Sequence, residues 1–203
     1  MKSHVSSSDE PVKSRDELLE KYRYFNVEHD WWDYLYADYV ERMEALGISI
    51  GVDDICFSGF WCQGDGASFS GYIHSSDMKR FMEAHNLGER YPEAMYFAAK
   101  EELGAKLVRS SSRYSHENTI RIDVQDEEID HSPIDEDDVR GVIYEAMRNA
   151  FYKTANDFEE EVQKICRGYM TELYKELQQE YEYLTSDECV LEAIEANQLD
   201  EDI

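Results

Sequence analysis

The chain has 203 residues, of which 42% are hydrophobic and 13% aromatic, and 46 acidic against 20 basic side chains give a net charge of −26. That length suits one domain, or one domain with an appendage, and the apolar content excludes general disorder. A field of that sign repels nucleic acid and anionic membrane and attracts basic protein surfaces or cations, which disfavours direct DNA or RNA binding.

The charge is uneven, with a net of −8 over residues 1–125 and −18 over residues 126–203. No segment reaches the ~18 consecutive apolar residues of a membrane helix. The opening MKSHVSSSDEPVKSRDE lacks the apolar core of a secretory signal. A cytoplasmic location is expected. Cys56, Cys62, Cys166 and Cys189 show no paired metal spacing and read as free thiols.

Three segments are expected: a flexible tail over 1–13, an α+β domain with two β-hairpins over 14–131, and an acidic helical region over 132–203 packing on that domain. Ser14 with Glu17 three residues on forms a capping box for a short helix. In DWWDYLYADYVERMEALG, residues Trp32, Leu35, Tyr36, Tyr39, Met43 and Leu46 recur at helical spacing, and Gly47 marks the stop.

Residues 55–62 and 67–73 read as two strands joined through Gly64-Asp65. That turn sets Cys62 against Ala67, Phe60 against Phe69 and Cys56 against Ile73, and leaves Phe57, Trp61, Tyr72, Ser68 and Ser70 on the other face. Either helices cover both faces, or Phe57, Trp61 and Tyr72 around Gly59 line a recognition surface. The glycines of FSGFWCQGDG lack the Lys-Ser/Thr ending of a phosphate loop.

Short helices follow over 76–85 and 91–103. A second hairpin over 106–113 and 119–124 concentrates Lys106, Arg109, Arg113, Arg121 and His116 in an otherwise acidic chain. These either pair internally or, through Arg109, Arg113 and His116, contact an anion. Asp126, Glu127, Glu128 and Asp130 lack the glycine turn of a calcium loop and read as solvated charge. No catalytic residue, metal ligand or cofactor is assigned.

Ser132-Pro133 or Asp135 starts the next helix, whose stripe runs Val139, Ile143, Met147, Ala150, Phe151, Ala155, Phe158, Val162, Ile165, Tyr169, Leu173 and Leu177. A break near Arg167-Gly168 would divide it; unbroken, it bends or projects towards a partner. Thr185 or Ser186 caps a last helix, and residues 176–203 contain no Lys or Arg. Rows of carboxylates on helices imitate a phosphate backbone, so Glu159, Glu160, Glu161, Glu172, Glu176 and Glu180 are the expected partner-binding face. Tyr174 and Tyr181 are its aromatic anchors, with Phe57, Trp61 and Tyr72 as further contacts.

The block DWWDYLYADYVERMEALGISIGVDDICFSGFWCQGDGASFSGYI and the ending YEYLTSDECVLEAIEANQ resemble a group of phage and prophage proteins, some of which carry an antitoxin label. The resemblance covers 30–73 and 181–197. It implies a mobile-element setting in a bacterial host cell and transfers no catalytic residue. Cys62 stands where serine is common in that group.

The expected fold is α+β, with about four antiparallel strands in two hairpins packed by helices and a long acidic C-terminal helical region. The expected function is non-enzymatic inhibition of a basic host protein, itself nucleic-acid-binding, such as a restriction or CRISPR component. The alternatives are an antitoxin that covers a toxin, and a small-ligand or nucleotide-binding protein or enzyme using the aromatic hairpin face. Homodimerisation through the C-terminal helices is a further expectation.

Overall fold

In the computed structural model the described residues are 14–110, 113–126, 128–130, 132 and 138–199. The expected tail over 1–13, Glu127 and a helix start at Pro133 or Asp135 lie outside them. Described residues fold as α+β, with helices α1 (Arg15–Tyr22), α2 (Asp33–Ala45), α3 (Ser75–Ala84), α4 (Pro92–Ala98), α5 (Val139–Leu184) and α6 (Asp187–Asn197). The strands are β1 (Ile55–Phe57), β2 (Ala67–Phe69), β3 (Gly71–Ile73), β4 (Gly104–Arg109) and β5 (Ile120–Gln125). They fall into two compact units, a larger one over 34–176 and a smaller one made of residues up to 33 together with those from 177 onward.

In the larger unit, β3, β4 and β5 form an antiparallel sheet in that order, and β1 pairs with β2 alone. Alternation along IRIDVQ turns Ile120 and Ile122 inward and exposes Arg121 and Asp123, the period of a half-buried strand. Register then stacks Gly71, Leu107 and Ile122 across the inner face and Tyr72, Lys106 and Asp123 across the outer one. Tyr39 and Met43 of α2, Met78 and Phe81 of α3, and Phe97 of α4 are all buried.

The first hairpin departs from expectation. Cys56 lies opposite Ser68, Ile55 opposite Phe69 and Phe57 opposite Ala67. What was expected as a two-residue turn is the whole segment 58–66, closed by the Ser58 N–H donating to Gly66 O at 3.2 Å. The register therefore moves by an odd number of residues, which exchanges the faces: Cys56 shares one with Ser68, and Phe57 joins Ala67 and Phe69 on the other. Tyr72 leaves that hairpin altogether, since β3 pairs with β4 and, on its other edge, with Ser49.

Helix α5 runs 46 residues without a break at Gly168. Its buried stripe in the larger unit is Phe151, Phe158, Val162, Cys166, Met170 and Leu173, whereas Val139 and Ile143 are exposed and Ile165 and Tyr169 only half-buried. The expected stripe is displaced by one residue at Ile165 and Tyr169, where Cys166 and Met170 are buried instead, and coincides with the buried one again at Leu173. Three polar side chains four residues apart register α5 along β5. The Val124 N–H donates to Glu159 at 3.1 Å, the Ile122 N–H to Gln163 at 3.3 Å, and Arg167 donates to Ile120 O at 2.9 Å. The groups that an edge strand leaves open are satisfied by side chains instead of a further strand.

The smaller unit contains only helical elements among its described residues. Ser14 and Glu17 complete the capping box of α1, with the Glu17 N–H donating to Ser14 Oγ at 3.3 Å and the Ser14 N–H to Glu17 at 2.8 Å. Ser186 caps α6 by accepting from the Cys189 N–H. Leu19, Val190 and Ile194 form its core, surrounded by Leu18, Tyr22, Leu191 and Leu199. Asn26 Nδ2 donates to Leu184 O at 3.2 Å, and Arg23 donates to Thr185 O at 3.1 Å, tying the first segment to the last turn of α5.

Candidate functional site

The six glutamates expected to face a partner divide sharply. Glu159 is spent on the β5 edge. Glu161, whose side chain is only 17% exposed, accepts from Arg90 at 2.6 Å and lies 3.5 Å from Lys164. Glu176 accepts from Arg42 through both carboxylate oxygens, and Arg42 Nε also reaches Asp38 at 3.0 Å. That fork is the bidentate geometry guanidinium favours, and it raises the Arg42 pKa, chiefly through the Glu176 hydrogen bond. Glu160 and Glu172 are exposed, and Glu180 is half-buried.

The smaller unit also carries outward carboxylates, among them Glu182, Glu188, Glu192 and Glu195. Tyr183, at the end of α5, is 56% exposed. Its hydroxyl is pushed up from the ordinary tyrosine value by the Cys189 sulfur first and Glu192 next, with Glu188 and Glu180 adding to them. Among the described residues no Lys or Arg forms an ion pair with Glu180, Glu188 or Glu192, while the neighbouring Asp187 pairs with Arg23. The sequence reading names Tyr174 and Tyr181 as anchors and not Tyr183. The signal was there: Tyr183 lies off the buried stripe, within a stretch without a single basic residue.

Tyr181, which was expected to be an anchor, packs its ring 5.8 Å from Trp31, and Trp31 lies 5.4 Å from Trp32. Its hydroxyl is raised by burial and by Tyr24. It is half-buried, and the outward ring is Tyr183.

In the larger unit, segment 58–66 is a second prominent surface. Phe60 sits centrally, 5.0 Å from the Phe57 ring, 5.4 Å from Trp61 and 5.5 Å from Tyr174. Trp61 is 71% exposed, on backbone at φ +68°. Burial and the charge of Asp65 push the Tyr174 hydroxyl up, and the hydrogen bond it accepts from the Trp61 N–H holds it back. Asp65 accepts from the Cys62 N–H at 2.7 Å, and the Asp65 N–H returns to Cys62 O at 3.1 Å. Gly64 and Gly66 are required because a Cβ at either would overlap the Tyr114 ring or the His116 backbone.

Arg109, Arg113 and His116 gather around Tyr114 but do not present a shared anion cradle. Arg109 donates to Cys56 Sγ at 2.7 Å, to Tyr114 O at 3.0 Å and to Ser115 Oγ at 3.3 Å. Arg113 lies over the Tyr114 ring at 5.2 Å, and His116 Nδ1 accepts from the Asn118 N–H at 3.2 Å. These side chains hold the loop that supports segment 58–66. Tyr72 stands apart on the outer sheet face, stacked on His74 at 5.5 Å with Lys106 5.6 Å above its ring.

Among the described residues, no three His, Cys, Asp or Glu side chains gather as a metal ion requires. None of the described helices is long and apolar enough to cross a membrane.

No curated protein and no solved structure matches the chain. A family model does, over residues 31–187, a span that takes in segment 58–66, the whole of α5 and Tyr183. The chain belongs to the DUF8835 family, described as a domain of unknown function.

Proposed function

We propose that this chain works by protein–protein binding, as a phage-encoded acidic accessory protein that occupies the nucleic-acid-binding surface of a basic host protein and blocks it. A restriction or CRISPR component is a fitting target class. The observation that carries the reading is the field around Tyr183: an exposed ring beside Glu180, Glu188 and Glu192, with no base pairing with those three among the described residues. Tyrosines near the centre of an interface commonly carry much of its binding energy, and surrounding carboxylates steer a basic partner into place. The phage setting is supported by the resemblance of residues 30–73 and 181–197.

The experiment is affinity capture from host lysate with the full chain, followed by titration with the purified partner. The expected partner is basic, binds stoichiometrically and is displaced by duplex DNA. Glu188→Lys with Glu192→Lys should weaken it by about 2–3 kcal/mol, roughly a hundredfold, and flatten its salt dependence. A partner held equally well by the reversed variant, or displaced by neither DNA nor salt, overturns the proposal. A toxin neutralised on co-expression and indifferent to DNA would assign the antitoxin role instead.

A further inference from the structure

We infer that Cys56 is a modification site: a thiol that takes one oxygen from a hydroperoxide and whose sulfenic form is held by the Ser68 hydroxyl and the Arg109 guanidinium. The inference starts from an orphan. Ser68 is fully buried, and its Oγ has no hydrogen-bond partner. A buried hydroxyl left unpaired is costly, and alanine would fill the same place without that cost. Ser68 lies directly opposite Cys56 across the β1–β2 pair, so both side chains leave the same face with their Cβ atoms ~5 Å apart. The donor that lacks an acceptor therefore faces a sulfur.

That sulfur is also where a guanidinium ends. Arg109 Nη1 donates to Cys56 Sγ at 2.7 Å, while Nη2 is occupied by Tyr114 O and Ser115 Oγ. Reactive thiols sit in electropositive, partly exposed surroundings. Among the described residues only Cys56 combines the two, being half-buried beside Arg109. Cys62 is exposed next to Asp65, which accepts its N–H. Burial pushes the Cys166 thiol up to about 12, and burial followed by Glu192, Glu180 and Glu188 raises that of Cys189. There is also a way in. Arg109 lines an open cavity of about 270 Å³ with Asp54 and Ser70, each two residues from the Cys56–Ser68 pair, which is ample for a molecule little larger than water. The Asp54 carboxylate is taken by the Gly51 N–H at 2.9 Å.

The step balances without a cofactor. Cys56 Sγ attacks one oxygen of the hydroperoxide; an S–O bond forms and the O–O bond breaks, so the sulfur is oxidised and the peroxide reduced. With hydrogen peroxide, the thiol proton and the departing hydroxide leave as water. The new oxygen, carried on the sulfur, is the acceptor that Ser68 Oγ lacks, and Nη1 has a second N–H to give it. The site lies where two supports of segment 58–66 meet: β1 runs into that segment, and Arg109 holds the Tyr114–Ser115 stretch packed against Gly64 and Gly66. It stands independently of the acidic surface around Tyr183.

The test exposes the full, reduced chain to a small excess of hydrogen peroxide with dimedone, which tags sulfenic acids, and locates the tag by peptide mass spectrometry. Cys56 should carry it about tenfold more than Cys62, although Cys62 is the exposed thiol. Without dimedone, the gain of one oxygen at Cys56 should persist after catalase has removed the peroxide. Ser68→Ala should shorten that persistence about fivefold and leave the tag at Cys62 unchanged. The thermal midpoint of reduced Ser68→Ala should be unchanged or higher, because the substitution deletes an unpaired hydroxyl.

Equal or preferential tagging of Cys62, or no adduct at Cys56, overturns the inference. So does recovery of Cys56 only as a disulfide with Cys62, or an adduct equally long-lived in Ser68→Ala, since the hydroxyl then holds nothing. A fall in the thermal midpoint of reduced Ser68→Ala overturns it from the other side, by showing that a buried water already satisfies Oγ.

Discussion

Glutamates do different work in the two compact units. In the larger one, Glu159, Glu161 and Glu176 on α5 face inward chemistry: an edge strand, Arg90 and Arg42. In the smaller one, the charges of Glu192, Glu188 and Glu180 act on an exposed tyrosine, Tyr183, and no base pairs with them among the described residues. Spacing along a helix does not separate the two cases. A carboxylate becomes structural when tertiary packing brings a donor to it, and stays available to a partner when packing brings none.

The widest difference should appear in stability. Glu159→Ala leaves the Val124 N–H without its acceptor and should cost about 1–2 kcal/mol in urea unfolding, whereas Glu192→Ala should stay within about 0.5 kcal/mol. Equal costs would erase the distinction. Ser186→Ala sharpens it from the other side, since loss of the α6 cap should cost about 1 kcal/mol and loosen the helix carrying Glu188 and Glu192. Amide exchange in α6 would report it.

The smallest effects are those of alkaline pH. Burial, aided by Glu102 at one and Asp126 at the other, pushes Tyr144 and Tyr152 up to about 12. In the unfolded chain they ionise near ~10. The raised folded values mean that their share of stability is whole below pH ~10 and is lost as pH rises towards 12, the direction linkage requires. Tyr144→Phe should flatten the decline above pH ~10. Spectrophotometric titration of Tyr183 should move down in Glu192→Gln, because charge, from the Cys189 sulfur first and Glu192 next, is what raises it.

Much of the architecture is legible in the residues themselves. The Ser14 and Ser186 caps, the Tyr36–Tyr39–Met43 stripe and the alternation of IRIDV rest on local chemistry and appear where that chemistry puts them. The first hairpin differs from its sequence expectation because a glycine pair beside aspartate has the signature of a tight turn, whereas the packing of Gly64 under Tyr114 and Gly66 under His116 makes the whole segment a loop. No local rule anticipates a neighbour some fifty residues away. The aromatic surface was half visible for the same reason: Trp61 and Tyr174 were both singled out, but the Phe60 bridge between them is a tertiary contact.

Composition and periodicity determined that this chain folds as α+β, carries its charge towards its C-terminal third and has a long amphipathic helical region, since these follow from side-chain chemistry and repeat length; that the region is one unbroken helix was decided by the tertiary structure. Tertiary structure alone decided which carboxylates are consumed and which face outward, and which aromatic rings are covered. It also set the register of β1 against β2. Each of those outcomes depends on what another part of the chain brings within about 3 Å, and a polar group or a ring has no role until that neighbour is in place.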